Sequence, residues 1–193
     1  MKYVVSRYNH DVDWLGEYSD DVVMYDRSEL PARNSINVEN RGSDIYDKFS
    51  FIIDNYYRLP DVAVYAKANL FKYITKGEFD KVCNNTAFTP LLTQKHKTDG
   101  TICFYREGMY HEINNYWYLG SHPARHANEI IGMLGMDKRE YNAFAPGSNY
   151  ILPKENILKH PKEFYEKLRS FLGWAVYPGD AQLIERNLYY IWR

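Results

Sequence analysis

The sequence predicts an α/β fold, a central and mostly parallel sheet flanked by helices, built as one domain over residues 1–193. Three observations predict it. β-Branched and apolar runs recur at Tyr3-Val4-Val5, Val22-Val23-Met24-Tyr25 and Val62-Ala63-Val64-Tyr65-Ala66. Helical patterns separate them, and the alternation of strand and helix is the one that winds parallel strands through crossovers. Each run also ends in polar residues, Arg7-Tyr8-Asn9, Asp26-Arg27-Ser28 and Lys67-Ala68-Asn69. In open sheets of this kind ligands gather at the carboxyl ends of the strands.

Taken in order, the first strand leads into a short helix over residues 11–18, with Trp14, Leu15 and Tyr18 on one face. The second strand is followed by a polar loop from Glu29 to Asn40. A helix then opens near Ser43 and Asp44, its two candidate caps, and runs toward Asn55-Tyr56. Ile45, Phe49, Ile52, Ile53 and Tyr56 form the stripe of a helix laid on a sheet. After the third strand, residues 76–84 read as a helix, residues 89–92 as an extended connection and residues 101–105 as a strand. Residues 110–118 read as another strand or a ring-rich loop. Pro123 suits the first turn of a helix ending at Gly135. Tyr150-Ile151-Leu152 is a strand, and helical segments start at Lys154 and Pro161, with Phe164, Tyr165, Leu168, Phe171 and Leu172 on the apolar face. A terminal helix capped by Asp180 buries Ala181, Ile184, Leu188, Ile191 and Trp192.

Composition sets limits. With 25% charged residues and 45% hydrophobic ones, the chain has the balance of an ordinary globular protein. A net charge of -1 argues against a general nucleic-acid binder, which needs a basic face. No apolar run approaches a membrane span, and the first residues read as a strand rather than a signal peptide, so the expected location is the cytoplasm. Cys83 and Cys103 have no zinc or redox spacing and are expected as buried free thiols. Aromatic residues make up 17% of the chain, and their faces stack on sugars and bases as well as packing cores.

The stretch Asn40-Arg41-Gly42-Ser43-Asp44 places a cation, a flexible residue and a helix start together. Free amides at such an end suit an anion, phosphate included. The alternative is a turn at Gly42 with Arg41 in solvent.

Several phrases carry a family resemblance: residues 4–9, Asp13-Trp14-Leu15, residues 24–27, Asn40-Arg41-Gly42, residues 52–56 with Leu59-Pro60-Asp61, and residues 184–192. Together they resemble a large family of bacterial, fungal and large-virus proteins similar to glycosyltransferases of the nucleotide-sugar-binding α/β type, the Rossmann-like GT-A fold. They also resemble the small glycosyltransferase domains of large DNA viruses, for which the location would be the host cytoplasm. The resemblance covers the first seventy residues and the last fifty best. It implies a donor, a UDP-sugar as best match, across the first strand ends, and a glycan or glycoprotein hydroxyl as acceptor. Arg7, Tyr8 and Asn9 then lie near base or ribose, Asp26 takes a ribose hydroxyl or base edge, and Arg41 with Ser43 approaches the diphosphate. A mutual ion pair of Arg7 and Asp26 is the competing use.

Many enzymes of this type carry an Asp-x-Asp that holds Mn²⁺ or Mg²⁺ after a central strand. Here that place reads Ala66-Lys67-Ala68-Asn69, so Lys67 supplies positive charge itself or a metal is held elsewhere, with Asn69 beside the donor. Asp11-Val12-Asp13 has the right spelling after the wrong strand. Asp180 is the first candidate base and Glu185 the second, with capping and a buried pair with Arg186 as their structural uses. Asn149 and Tyr150 are candidates for acceptor contact, or simply begin a strand. His122 and His126, with Glu129, have metal-ligand spacing, but Pro123 stands where a zinc peptidase needs glutamate. His10 has no visible partner. A non-catalytic carbohydrate-binding or assembly module of the same fold is the alternative function.

Overall fold

The structure, a computed structural model, describes residues 1–93, 98–114 and 131–193. It is a mixed α/β arrangement around a six-stranded, mostly parallel sheet flanked by helices. In chain order the strands are β1 (Lys2–Arg7), β2 (Val22–Asp26), β3 (Ile36–Asn37), β4 (Val62–Lys67), β5 (Thr89–Pro90), β6 (Cys103–Arg106), β7 (Met109–Ile113), β8 (Tyr141–Phe144) and β9 (Tyr150–Pro153). The large sheet runs β3-β2-β1-β4-β9-β5, with β9 antiparallel to both of its neighbours. A second sheet, β6-β7-β8, is antiparallel throughout.

The alternation of β1 decides which side chains face which layer. Val4 joins one core with Tyr65, Tyr150 and Leu152, under α1 (Ser43–Asp54) and Trp192. Tyr3 and Val5 face the other way, joining Val64, Ala66 and Ile151 against Leu15 and Phe79. Phe79 comes from α2 (Lys76–Val82), whose start is fixed by a reciprocal cap between Thr75 and Glu78. Leu15 comes from a 3-10 turn over Asp13–Glu17, where a longer helix was expected. Trp14 from that turn donates its indole N–H to the Ala68 carbonyl at 2.8 Å, which ties down the chain leaving β4.

The helix α1 buries Ile45, Phe49, Ile52 and Ile53 of the predicted stripe, while Tyr56 lies past its end in a 3-10 turn and is only partly buried. The helix packs on α4 (Lys162–Ser170), which follows the short α3 (Lys154–Ile157). Tyr165, Leu168 and Leu172 of the next predicted face are buried, with Phe164 and Phe171 partly so. The terminal helix is two pieces, α5 (Gly179–Glu185) and α6 (Leu188–Trp192), broken at Asn187, whose amide bonds back to the Leu183 carbonyl. Its N-cap position is Pro178, not Asp180, because proline supplies the extended backbone that enters the helix while Asp180 already lies in the first turn. Cys83 is buried and Cys103 half-buried, both free. Among the described residues no helix is long and apolar enough to cross a membrane. The candidate metal residues His122, His126 and Glu129 and the predicted helix start at Pro123 lie outside the described residues.

Candidate functional site

The three predicted strand ends lie side by side. Arg7 is paired in register with Asp26 on β2, and Ser6 with Lys67 on β4. Backbone bonds continue the alignment beyond the strands, from Arg27 N to the Arg7 carbonyl and from Ala68 N to the Ser6 carbonyl. The start of α1 faces the same edge, and together they line a cleft of about 170 Å³. Of the residues expected at the donor site, Arg7, Tyr8, Ser43, Lys67 and Asn69 line it, joined by Asp44, Arg27, His10, Tyr73 and Tyr177.

At the floor, Asp44 is the shared acid. One carboxylate oxygen lies 3.2 Å from Lys67 Nζ and accepts a bond from the Ser43 hydroxyl, and the other is bonded by Lys48 Nζ and the Ser148 hydroxyl. Burial alone would raise the Asp44 carboxyl, but the two ammonium groups hold it far below the usual carboxylate range. Lys48 has no exposed surface, and burial pulls its ammonium down although Asp44 opposes. Burial would do the same to Lys67, but Asp44 and then Glu185 outweigh it, and its pKa rises above the ordinary lysine value. Lys67 is therefore charged, with about a quarter of its side chain exposed and its Nζ 5.4 Å from the Tyr73 ring centroid.

Three of the strained backbone positions lie in or next to this site, with Ser43 in its lining, Ser148 bonded to its acid and Asn9 beside Tyr8. Ser43, Ser148 and Asn9 all have positive φ, at 60°, 58° and 54°. Such conformations cost roughly 1–3 kcal/mol each in a non-glycine residue and are held where the surroundings over-determine them. Ser148 is held by Lys48 and Asp44, and Asn9 by its amide bond to the Ser28 hydroxyl.

Other predicted residues stand elsewhere. Asp26 is fully buried, bonded by Arg7 at 2.6 Å and by the Ser28 and Ala32 amides. Burial opposes its charge, but those bonds hold its carboxyl below the ordinary value. The ion-pair use of Arg7 and Asp26 is thus the one observed. Arg7 also bonds Ser28 and the His10 carbonyl. Asn9 does not line the cleft. Arg41 is turned outward, half-exposed and paired with Glu39, while its carbonyl accepts from the buried Arg27. Arg27 is clamped by Asp47, whose carboxyl burial pushes up. At the helix start, Gly42 takes the N-cap position at φ 75° with no side-chain cap. The Gly42 and Ser43 amides are used by the Ala175 and Val176 carbonyls rather than left for a ligand.

Asn149 has no exposed surface. Its side-chain oxygen accepts the Lys67 amide at 2.8 Å, pinning β9 to the end of β4. Tyr150 is equally buried, with its hydroxyl accepting from Ala145 N and its phenol pushed up by burial. Asp180 is buried against the Trp174 indole, and Glu185 accepts the Gly147 amide at 2.7 Å. Neither lines the cleft. Arg186 pairs with Glu112 across to the second sheet rather than chiefly with Glu185.

No protein-family model, curated protein or solved structure matches the chain. The site therefore speaks through its own chemistry.

A divalent cation does not fit the described lining residues. Asp44, the acid among the described lining residues, has both oxygens taken by lysines and serines. Asp11 and Asp13 are exposed, and Asp11 is used by the Asp13 amide to shape a turn. Among the described residues no three His, Cys, Asp or Glu side chains come together as a metal set.

Sequence reasoning missed Lys48, His10, Tyr73 and Tyr177. Lys48 carried a usable signal, since Asp44 and Lys48 are four apart on a helix. His10 stands 3.4 Å from the Asn69 amide, a pairing across fifty-nine residues that no local pattern announces.

Proposed function

We propose that this protein is a glycosyltransferase of the Rossmann-like GT-A type, moving a sugar from a nucleotide-sugar donor, UDP-linked as first choice, to a hydroxyl of a glycan or glycoprotein. The observation that carries this reading is the meeting of the β1, β2 and β4 ends with the α1 start in one cleft. The resemblance implies a donor across these strand ends, and the lining chemistry suits one. Tyr8 and Tyr177, both exposed, offer ring faces to a base or sugar. Arg7, Asn69 and His10 offer polar groups to ribose or sugar hydroxyls, and Lys67 a charge for phosphate.

Calorimetric titration with UDP, GDP and CMP, each with and without Mn²⁺, tests the reading. Saturable binding of a nucleoside diphosphate, with sugar transfer or slow hydrolysis of the matching nucleotide sugar, is the expected result. Binding of none of the three nucleotides would remove the proposal.

A second reading, a non-catalytic carbohydrate-binding or assembly module, is favoured by one observation. Both candidate bases, Asp180 and Glu185, stand outside the cleft, and Asp44 is committed to two lysines. Glycan binding without nucleotide binding is its expected signature.

A further inference from the structure

The expected transfer leaves a nucleoside diphosphate carrying new charge. The anomeric carbon–oxygen bond breaks with its electron pair going to the diphosphate. The acceptor hydroxyl oxygen makes the new bond, and its proton passes to water. A fixed cation that meets the diphosphate stabilises that charge most in the transition state.

Resting on the glycosyltransferase reading, we propose that Lys67 is this cation, and that donor binding needs no divalent metal. Three observations carry the proposal. Lys67 lies at the carboxyl end of β4, central in the sheet, and reaches the cleft floor. Its backbone is locked by Asn149 Oδ1 on its own amide, and its side chain by Asp44 at 3.2 Å and the Tyr73 ring, so the ammonium is pre-positioned. Asp44 is divided between Lys67 and the buried Lys48, so neither lysine has the carboxylate to itself. Asp44 thereby orients Lys67 while a quarter of the side chain stays open to the cleft. The same division of Asp44 denies a metal its carboxylate.

The test is calorimetry with UDP and with uridine, in EDTA and in Mn²⁺, on the wild-type chain and on Lys67→Met and Lys67→Arg. The wild type is expected to bind UDP equally in EDTA and Mn²⁺. Lys67→Met should weaken UDP by about 10-fold to 100-fold, the range of a hydrogen bond to a charged group. Uridine affinity should be unchanged, and Lys67→Arg should restore UDP binding to within a few-fold. A merely structural lysine would move uridine and UDP together, which would overturn the assignment. UDP binding by the wild type only in Mn²⁺ would also overturn it and leave the transferase reading standing, whatever the fate of the variants. The wild type is titrated with GDP and CMP alongside, and failure of UDP, GDP and CMP alike to bind under either condition would overturn both.

Discussion

Asp44 Oδ1 and Lys67 Nζ lie 3.2 Å apart, joining the first turn of α1 to the last residue of β4 across the cleft floor. Behind this pair, Lys48 reaches the same carboxylate from one helical turn further on. The helix α1 and the strand that follows it are thus fastened by one acid.

Removing that acid's charge is expected to be costly. Asp44→Asn leaves Lys48 buried without its counter-ion, a change worth about 3–5 kcal/mol when a buried pair is broken. Urea unfolding of the two proteins measures it, and a loss below about 1 kcal/mol would show that Lys48 is content without Asp44.

Gly147→Ala is expected to destabilise the chain and disturb the cleft together. Gly147 has φ 92°, and a Cβ there would meet the Tyr73 ring at 2.6 Å and the Asn149 amide at 2.8 Å. A side chain forced into that backbone and against those neighbours costs more than about 1 kcal/mol. Thermal melting gives the stability, and a nucleotide titration gives the effect on the cleft. An unchanged melting point would mean that the turn relaxes freely.

Arg41→Ala is expected to do little. Its side chain is half-exposed, its partner Glu39 more so, and it stands outside the cleft lining. Exposed pairs contribute roughly 0–1 kcal/mol, and UDP affinity should stay within about twofold of wild type. A tenfold loss of affinity by calorimetry would return Arg41 to the phosphate role that its sequence context suggested.

Stability should fall at both extremes of pH. Burial pushes the Tyr3 phenol up to about 12 and raises Tyr65 and Tyr165 as well. Below the ordinary tyrosine value of 10.0 both folded and unfolded chains keep these protons, and the contribution is whole. Above it the unfolded chain ionises first, and stability drops by about 1.4 kcal/mol per pH unit for each such group. For Tyr3 that loss is complete near pH 12. On the acid side Asp44 and Asp26 have lowered pKa values, so their contribution is whole above the ordinary value of 3.8 and lost as pH falls below it. Urea midpoints at pH 3, 7 and 11 check both limbs, and a flat profile between pH 7 and 11 would contradict the alkaline one.

The parallel frame was legible because its signals are local. Val4-Val5 and Val62-Ala63-Val64 read as strands, and Ile45, Phe49, Ile52 and Ile53 as one helical stripe, before any long-range contact is known. In the second sheet β6 and β7 overlap runs that read as strand at 101–105 and as strand or loop at 110–118, but β8 was not legible, since it is four residues long and gains its partner β7 from about thirty residues away. Within the site, strand-end position identified Arg7 and Lys67, but residue type could not show which polar groups would be spent internally. Asp26, Asn149 and Asp180 look like ligand-binding residues in sequence. Folding turns them toward Arg7, the Lys67 amide and the Trp174 indole instead.

The central claim is that a nucleotide donor lies across the β1, β2 and β4 ends. A crystal grown with UDP tests it most directly. The account predicts density in the cleft with the diphosphate at Lys67 and the base or ribose against Tyr8 or Tyr177. An empty cleft at saturating UDP, or nucleotide bound on another face, would contradict it.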